Sequence, residues 1–273
     1  GTMAANDELE PAYRALALTL PSEADIAREI GKDIDPDAIF GAREALATFI
    51  AVTNRDRFEA LYLSLADNTP FSPDAASAGR RSLRNVLLDY MSRLDGGLEI
   101  AARHFKAATN MTDLAASLAV LAHRHPGSTQ ADAAIAAFAA KFSSDPLVMD
   151  KWFQIQAAVP GGAAVDAVVR LAKHASYSIL NPNRVRALVG VFSTANQTGF
   201  HRADGAGYRL LAAAILEIET RNPQLAARLA TAFRSWRSLE PERQAHARAA
   251  LVSIAQAEKL SADLRDIVER TLA

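Results

Sequence analysis

Apolar residues recur at helical spacing, three and four apart, from one end of the chain to the other. After Asp35-Pro36 they fall at Ile39, Phe40, Ala42, Leu46, Phe49 and Ile50, and residues 57–65 continue with Phe58, Leu61, Tyr62 and Leu65. A further stripe runs through Leu83, Val86, Leu87, Tyr90, Met91 and Leu94 until Asp95-Gly96-Gly97 stops it. Helices are then predicted over 98–108, 112–123, from Ser128 to Phe142, from Asp145-Pro146 to Ala157, and over 164–174. Ser22 before Glu23 and Asp25, Glu240-Pro241, and Ser261 with Asp263 mark three more starts. Residues 67–79 read as the clearest long loop, and Pro160-Gly161-Gly162 as a turn. No segment alternates strictly with β-branched residues, so no sheet is expected.

The start signals are themselves repetitive. Asp, Asn or Glu precedes Pro at positions 35, 145, 181, 222 and 240. The side-chain oxygen of such a residue accepts a free first-turn N–H, and the next residue's missing N–H costs nothing there. Asn181-Pro182 and Asn222-Pro223 lie 41 residues apart, each leading a helical pattern with Arg in its first two turns. Helix starts repeated at about this interval point to an all-α chain, a superhelical stack of antiparallel helix pairs of the HEAT or armadillo kind. Residues 1–6 read as a cloning scar and a disordered N-terminus, and residues 7–273 as a single helical-repeat domain.

Composition narrows the partners. The 273 residues are 50% hydrophobic and 22% charged, with net charge −1. Such a chain builds a core and generates no overall field for nucleic acid or anionic lipid. No cysteine is present, which excludes disulfides and thiolate metal sites and fits a reducing compartment; a cytoplasmic location is expected. No apolar run approaches the ~20 residues of a membrane span, so no membrane insertion is expected.

Candidate catalytic chemistry is sparse. None of the six histidines is followed by Glu, so the HExxH zinc helix is missing. His123 and His125 read as a helix C-terminus, and His201 as part of a structured connection, GFHRADGAGY, fixed by its own hydrogen bonds. Arg80, Arg81 and Arg84 read as a solvated helix face, and Trp152 and Trp236 as core. One constellation suits a ligand. Gln224 and Arg228 lie one turn apart on the Asn222 helix, and Arg186 holds the equivalent place on the Asn181 helix. If those helices are neighbours, the three side chains face a carboxylate or another electron-rich group near two helix N-termini.

The segments NPNRVRALVGVF, FHRADGAGY, RNPQLAARL and SADLRDIVERTLA, preceded in order by ALTLPSE, IDPDAI with REAL, RSLRNVLLDYM, NMTDLAASL, DPLVMDKWFQIQA and SYSILNPNR, resemble the C-terminal end of the bacterial aminopeptidase N (alanyl aminopeptidase) family of zinc gluzincins. The resemblance implies a C-terminal domain of a larger enzyme of the membrane alanyl aminopeptidase type. The GxMEN and HExxH motifs of that enzyme's catalytic domain, which carries the zinc, are missing from this sequence. It further implies a superhelical lid that encloses the active-site cavity, controls access and contributes a Gln and two Arg to peptide binding; these match Gln224, Arg228 and Arg186. The catalytic domain of the same polypeptide and peptide substrates would be its partners, with no cofactor of its own. The alternative is a stand-alone helical-repeat scaffold binding a protein partner. An enzyme acting alone lacks candidates for nucleophile, metal ligands and oxyanion donors.

Overall fold

A computed structural model describes residues 2–4, 6–66 and 70–273. It is helical throughout, and among the described residues the one β-type pairing is an isolated parallel bridge between Ile34 and Leu239. The caps expected from the sequence form. Ser22, Asp145, Asn181, Asn222, Glu240 and Ser261 each accept a first-turn N–H through the side chain. Each such cap contributes about 1 kcal/mol to its helix. Asp35 does the same for Asp37 and Ala38 at 2.9 and 3.3 Å.

Three boundaries differ from the pattern. A helix at Pro11–Leu18 follows Glu10-Pro11, the same acid-proline signal, although Glu10 makes no side-chain cap. The long loop is shorter than its composition indicates, because Asp74 caps a helix running Ala75–Met91; Asp67, Asn68 and Thr69 lie outside the described residues. The expected 164–174 helix ends as Ala164–Leu171, leaving Lys173 and His174 in a turn.

The chain packs as two compact units, one formed by Gly1–Pro21 with Gly41–Lys141, the other by Ser22–Phe40 with Phe142–Ala273. In the first, helix Ala75–Met91 packs against Pro11–Leu18, Arg55–Ser64 and Met111–Arg124. It buries Leu83, Leu87 and Leu88 completely, with the Phe58 and Tyr90 rings 5.5 Å apart. Beside this core, Arg93 and Arg124 share Asp89 and Glu44 at 2.6–3.1 Å. Burial opposes ionisation of Asp89, but Arg124 and then Arg93 outweigh it and hold the carboxyl below its usual range. Near the N-terminus, Ala4 is buried and its carbonyl accepts from Arg14 Nε at 2.7 Å.

In the second unit, sequence-adjacent helices Ala206–Glu219 and Pro223–Ala230 pack together, the first also against the closing helix Pro241–Ala255 and the second against Ala262–Leu272. Phe192, Phe200, Tyr208 and Phe233 form a fully buried aromatic cluster in which Phe200 meets the other three rings edge-on. Such contacts add about 0.5–1.5 kcal/mol per pair beyond the area they bury. Trp152 and Trp236 are core residues, Trp236 donating its indole N–H to the Thr271 carbonyl at 2.9 Å. Buried Arg243 draws in Asp35, Asp37, Glu240 and the His201 carbonyl.

Candidate functional site

Asn181 opens a helix of three parts: Pro182–Val185, a π turn at Arg186–Gly190, and Val191–Ala195. Its two arginines take opposite courses. Arg184 points inward, pairs with Asp150 at 2.9 Å and stacks on Phe153 with its guanidinium carbon 4.9 Å from the ring centre. Arg186 points outward, exposed, with Nη1 donating to Asn183 Oδ1 at 2.6 Å. Single π turns inside α-helices are frequent at functional sites, and this one begins at Arg186.

Asn222 sets the second element. Its carboxamide oxygen takes the Leu225 N–H at 3.0 Å and starts helix Pro223–Ala230. Leu225, Ala226, Ala227 and Leu229 go into the core, which leaves Gln224 and Arg228 exposed and one turn apart. No hydrogen bond or ion pair within the described residues engages either side chain. The two helices meet at Gly190: a Cβ there would lie 3.7 Å from Arg186 Cβ and 3.9 Å from Leu229 Cδ2. The residue one turn beyond Arg186 therefore touches the residue next to Arg228. The Asn181 and Asn222 helices approach each other at this one point, and three polar side chains are left exposed.

The connection at 199–208 is structural. Arg202 grips Asp204 through two bonds of 2.8 and 2.7 Å, Asp204 caps the Ala206 N–H at 3.0 Å, and Arg202 reaches the Gly162 carbonyl at 2.9 Å. His201 Nδ1 meets the Tyr208 hydroxyl at 2.8 Å inside the core. Burial, reinforced by the Arg243 guanidinium, pushes the His201 imidazole down to about 3, so it stays neutral at physiological pH. Two glycines are obligatory here. Gly205 has φ +71°, with His246 Cβ 2.6 Å from where its own Cβ would be, and a Cβ on Gly207 would strike the Phe200 carbonyl oxygen.

Chemically, the exposed trio can donate hydrogen bonds to carbonyls and carboxylates but offers no nucleophile or general base. No group of three or more His, Asp and Glu side chains among the described residues is placed to hold a metal ion. No described helix is long and apolar enough to cross a membrane. Sequence spacing missed Asn183, which orients Arg186, and the inward turn of Arg184. The signal for the first was present, an amide three residues before a guanidinium on one helix.

Comparisons with known proteins agree with this architecture. The family model described as "Domain of unknown function (DUF3458_C) ARM repeats" matches residues 1–273. Aminopeptidase N of Caulobacter vibrioides is 38% identical over 275 residues, an alignment covering 100% of this chain and 31% of that protein. Aminopeptidase N of Haemophilus influenzae is 35% identical over 262 residues, covering 94% of this chain and 29% of that protein. The chain thus spans less than a third of the length of these curated relatives. Among solved structures, aminopeptidase A of Legionella pneumophila in complex with aspartic acid matches with a TM-score of 0.89 at 28% identity, over 99% of this chain and 32% of that one. Capped helix pairs in the structure, a repeat-type family model over the full length and a close structural match agree: the chain belongs to the DUF3458_C family of ARM-repeat domains.

Proposed function

We propose that this chain is the non-catalytic C-terminal domain, residues 7–273, of a zinc-dependent aminopeptidase that removes N-terminal amino acids from peptides. One observation carries the reading: the whole chain aligns with aminopeptidase N while occupying under a third of it. The remaining length is room for a catalytic domain on the same polypeptide, which would be this domain's main partner. In that setting the domain encloses the active-site cavity, controls substrate access and presents Gln224, Arg228 and Arg186 to bound peptide. The exposure of all three side chains and the contact between their helices at Gly190 support this role. Zinc belongs to the catalytic domain, where it would polarise the scissile carbonyl and activate water. A cysteine-free sequence is in keeping with a cytoplasmic enzyme.

The test compares this chain alone with the longer polypeptide. The longer polypeptide should hold stoichiometric zinc and hydrolyse alanyl anilides, and the untagged chain alone should do neither. Tightly bound stoichiometric zinc, or anilide hydrolysis that co-purifies with the isolated chain, would overturn the assignment.

A further inference from the structure

Arg81 and Arg84 are half-buried, not the solvated face that their sequence indicates, while Arg80 is exposed as that reading has it. They line a cavity of about 210 Å³ within the unit that includes Gly41–Lys141. Its opposite wall is the end of helix Gly97–Ala107 and the start of helix Met111–Arg124, including His104, Thr109 and Asp113. Elsewhere in the protein, arginines that leave solvent find a carboxylate. Arg14, Arg93, Arg124, Arg184 and Arg243 each have one within 3.1 Å. Arg81 and Arg84 have none among the described residues. They are held instead by neutral groups: Arg81 by the Ser72 carbonyl at 2.9 Å and the Phe71 ring at 4.7 Å, Arg84 by the Tyr62 ring at 4.7 Å. The Nε atom of each is buried with no hydrogen-bond partner.

Among the described residues, the nearby acids Asp74 and Asp113 are already engaged. Asp113 takes the amide groups of Asn85 and Asn110 at 3.0 and 2.8 Å, and Asp74 caps its own helix through the Ser77 N–H at 2.9 Å. Across the cavity His104 is only 4% exposed, with Nδ1 bonded to the Tyr62 hydroxyl at 2.7 Å. Its Nε2 is buried without a hydrogen-bond partner, 3.9 Å from Asp113 Oδ1, a neighbour that favours the proton on Nε2. One wall thus carries two guanidinium groups without a carboxylate among the described residues, and the other a ring nitrogen whose nearest acceptor, Asp113 Oδ1, is 3.9 Å away.

The geometry points to a binding site for a small tetrahedral oxyanion of the phosphate type, held between Arg81 and Arg84 on one wall and His104 Nε2 on the other. A planar carboxylate offers both oxygens to one side, whereas a tetrahedral group can meet donors on opposite walls at once. The cavity is several times the ~30 Å³ share of a water molecule, ample for an ion of this size. Helix Met111–Arg124 also starts at the cavity, and its N-terminal dipole favours negative charge there.

Inorganic phosphate is the probe, titrated calorimetrically into the protein at constant ionic strength with chloride making up the balance. Saturable one-to-one binding is expected, with a Kd of about 1 mM or tighter. Arg84→Gln should weaken it about tenfold, the double change with Arg81→Gln further, and Arg84→Lys several-fold. Arg265→Gln removes one exposed charge elsewhere and should leave binding unchanged. Circular dichroism and the phosphate-free unfolding midpoint separate loss of the site from loss of the fold, and Arg84→Lys carries the test if a glutamine variant does not fold. Acetate, with its single planar carboxylate, should bind about tenfold more weakly than phosphate. The site is overturned by no saturation up to about 20 mM phosphate, or by a folded double variant that binds like the wild type. Acetate matching phosphate overturns the tetrahedral assignment.

Discussion

Arg228 offers the sharpest test of the proposed peptide-binding role, because removing it should touch the ligand and little else. The side chain is exposed, and within the described residues its guanidinium has no ion pair or hydrogen bond. Its helix is held by buried Leu225, Ala226, Ala227 and Leu229, so Arg228→Ala should change folding stability by no more than about 0.5 kcal/mol. Any larger kinetic loss in the full-length enzyme then belongs to substrate. A peptide brings backbone carbonyls and a C-terminal carboxylate past the scissile bond, and a chromogenic amino-acid anilide brings neither. Hydrogen bonds from a guanidinium to such groups contribute about 1.5–3 kcal/mol, toward the low end in a wet cavity. At ~1.4 kcal/mol per decade, kcat/KM for tri- and tetrapeptides should fall roughly 10-fold or more. The anilide should lose several-fold less, zinc content should not change, and Arg228→Lys should recover part of the loss because a point charge lacks the planar fork. Equal losses on peptide and anilide would mean that Arg228 supports the fold or the catalytic domain's position. No loss on either would remove it from the site.

Other consequences are separable from catalysis. Arg184→Ala strands Asp150 in the interior and should cost about 3–5 kcal/mol in denaturant unfolding, whereas Arg186→Ala should stay within about 0.5 kcal/mol; equal effects would refute the inward-outward assignment. His201 is depressed to about 3 when folded, so the unfolded chain alone binds its proton between pH 6.5 and 3, and stability present above pH 6.5 is lost as pH falls through that window. Between pH 7.5 and 5 this amounts to about 2 kcal/mol, and His201→Gln should flatten the stability-pH curve by that amount; an unchanged slope would mean that other groups set it. Leu46, Phe49 and Val52 make an exposed apolar stripe three residues apart on helix Pro36–Thr53, with Phe49 66% exposed. The isolated chain should therefore self-associate at high concentration, and Phe49→Ser should weaken that about tenfold by sedimentation; a strictly monomeric wild type would count against it.

Much of the fold was legible because its starts are local. An Asp, Asn, Ser or Glu that accepts a first-turn N–H does so within three residues, so Asn181, Asn222 and Glu240 announce their helices whatever they pack against. The stops and the long loop read less well. The Ser, Asp and Ala of 74–79 look like loop by composition, yet Asp74 caps a helix that Gly79 lets pack tightly, a Cβ there lying 3.0 Å from the Ala12 nitrogen. That contact spans more than sixty positions of sequence. The arginines at 81 and 84 read as solvated for a similar reason: the Phe71 and Tyr62 rings on which they stack sit on other segments.

The candidate site shows where periodicity stops being enough. Arg184 and Arg186 are two residues apart in one helix start, and both belong to a motif whose chemistry suits anion recognition. Residue spacing alone puts them on different faces, since each step turns the helix by about 100°. It does not say which face is the interior. Asp150 and Phe153, one helix earlier, decide that by claiming Arg184. The π turn then shifts the phase of the next residues, because it takes in one residue more than an α turn. Ala187, Leu188 and Val189 are all buried in succession, a wider arc than an amphipathic α-stripe covers. Arg186 stays outside, and Gly190 meets Leu229. The outward position of Arg186 follows from the buried ion pair of Arg184 before it, and the contact at Gly190 closes the π turn after it. Both depend on neighbours that the helix's own sequence does not name.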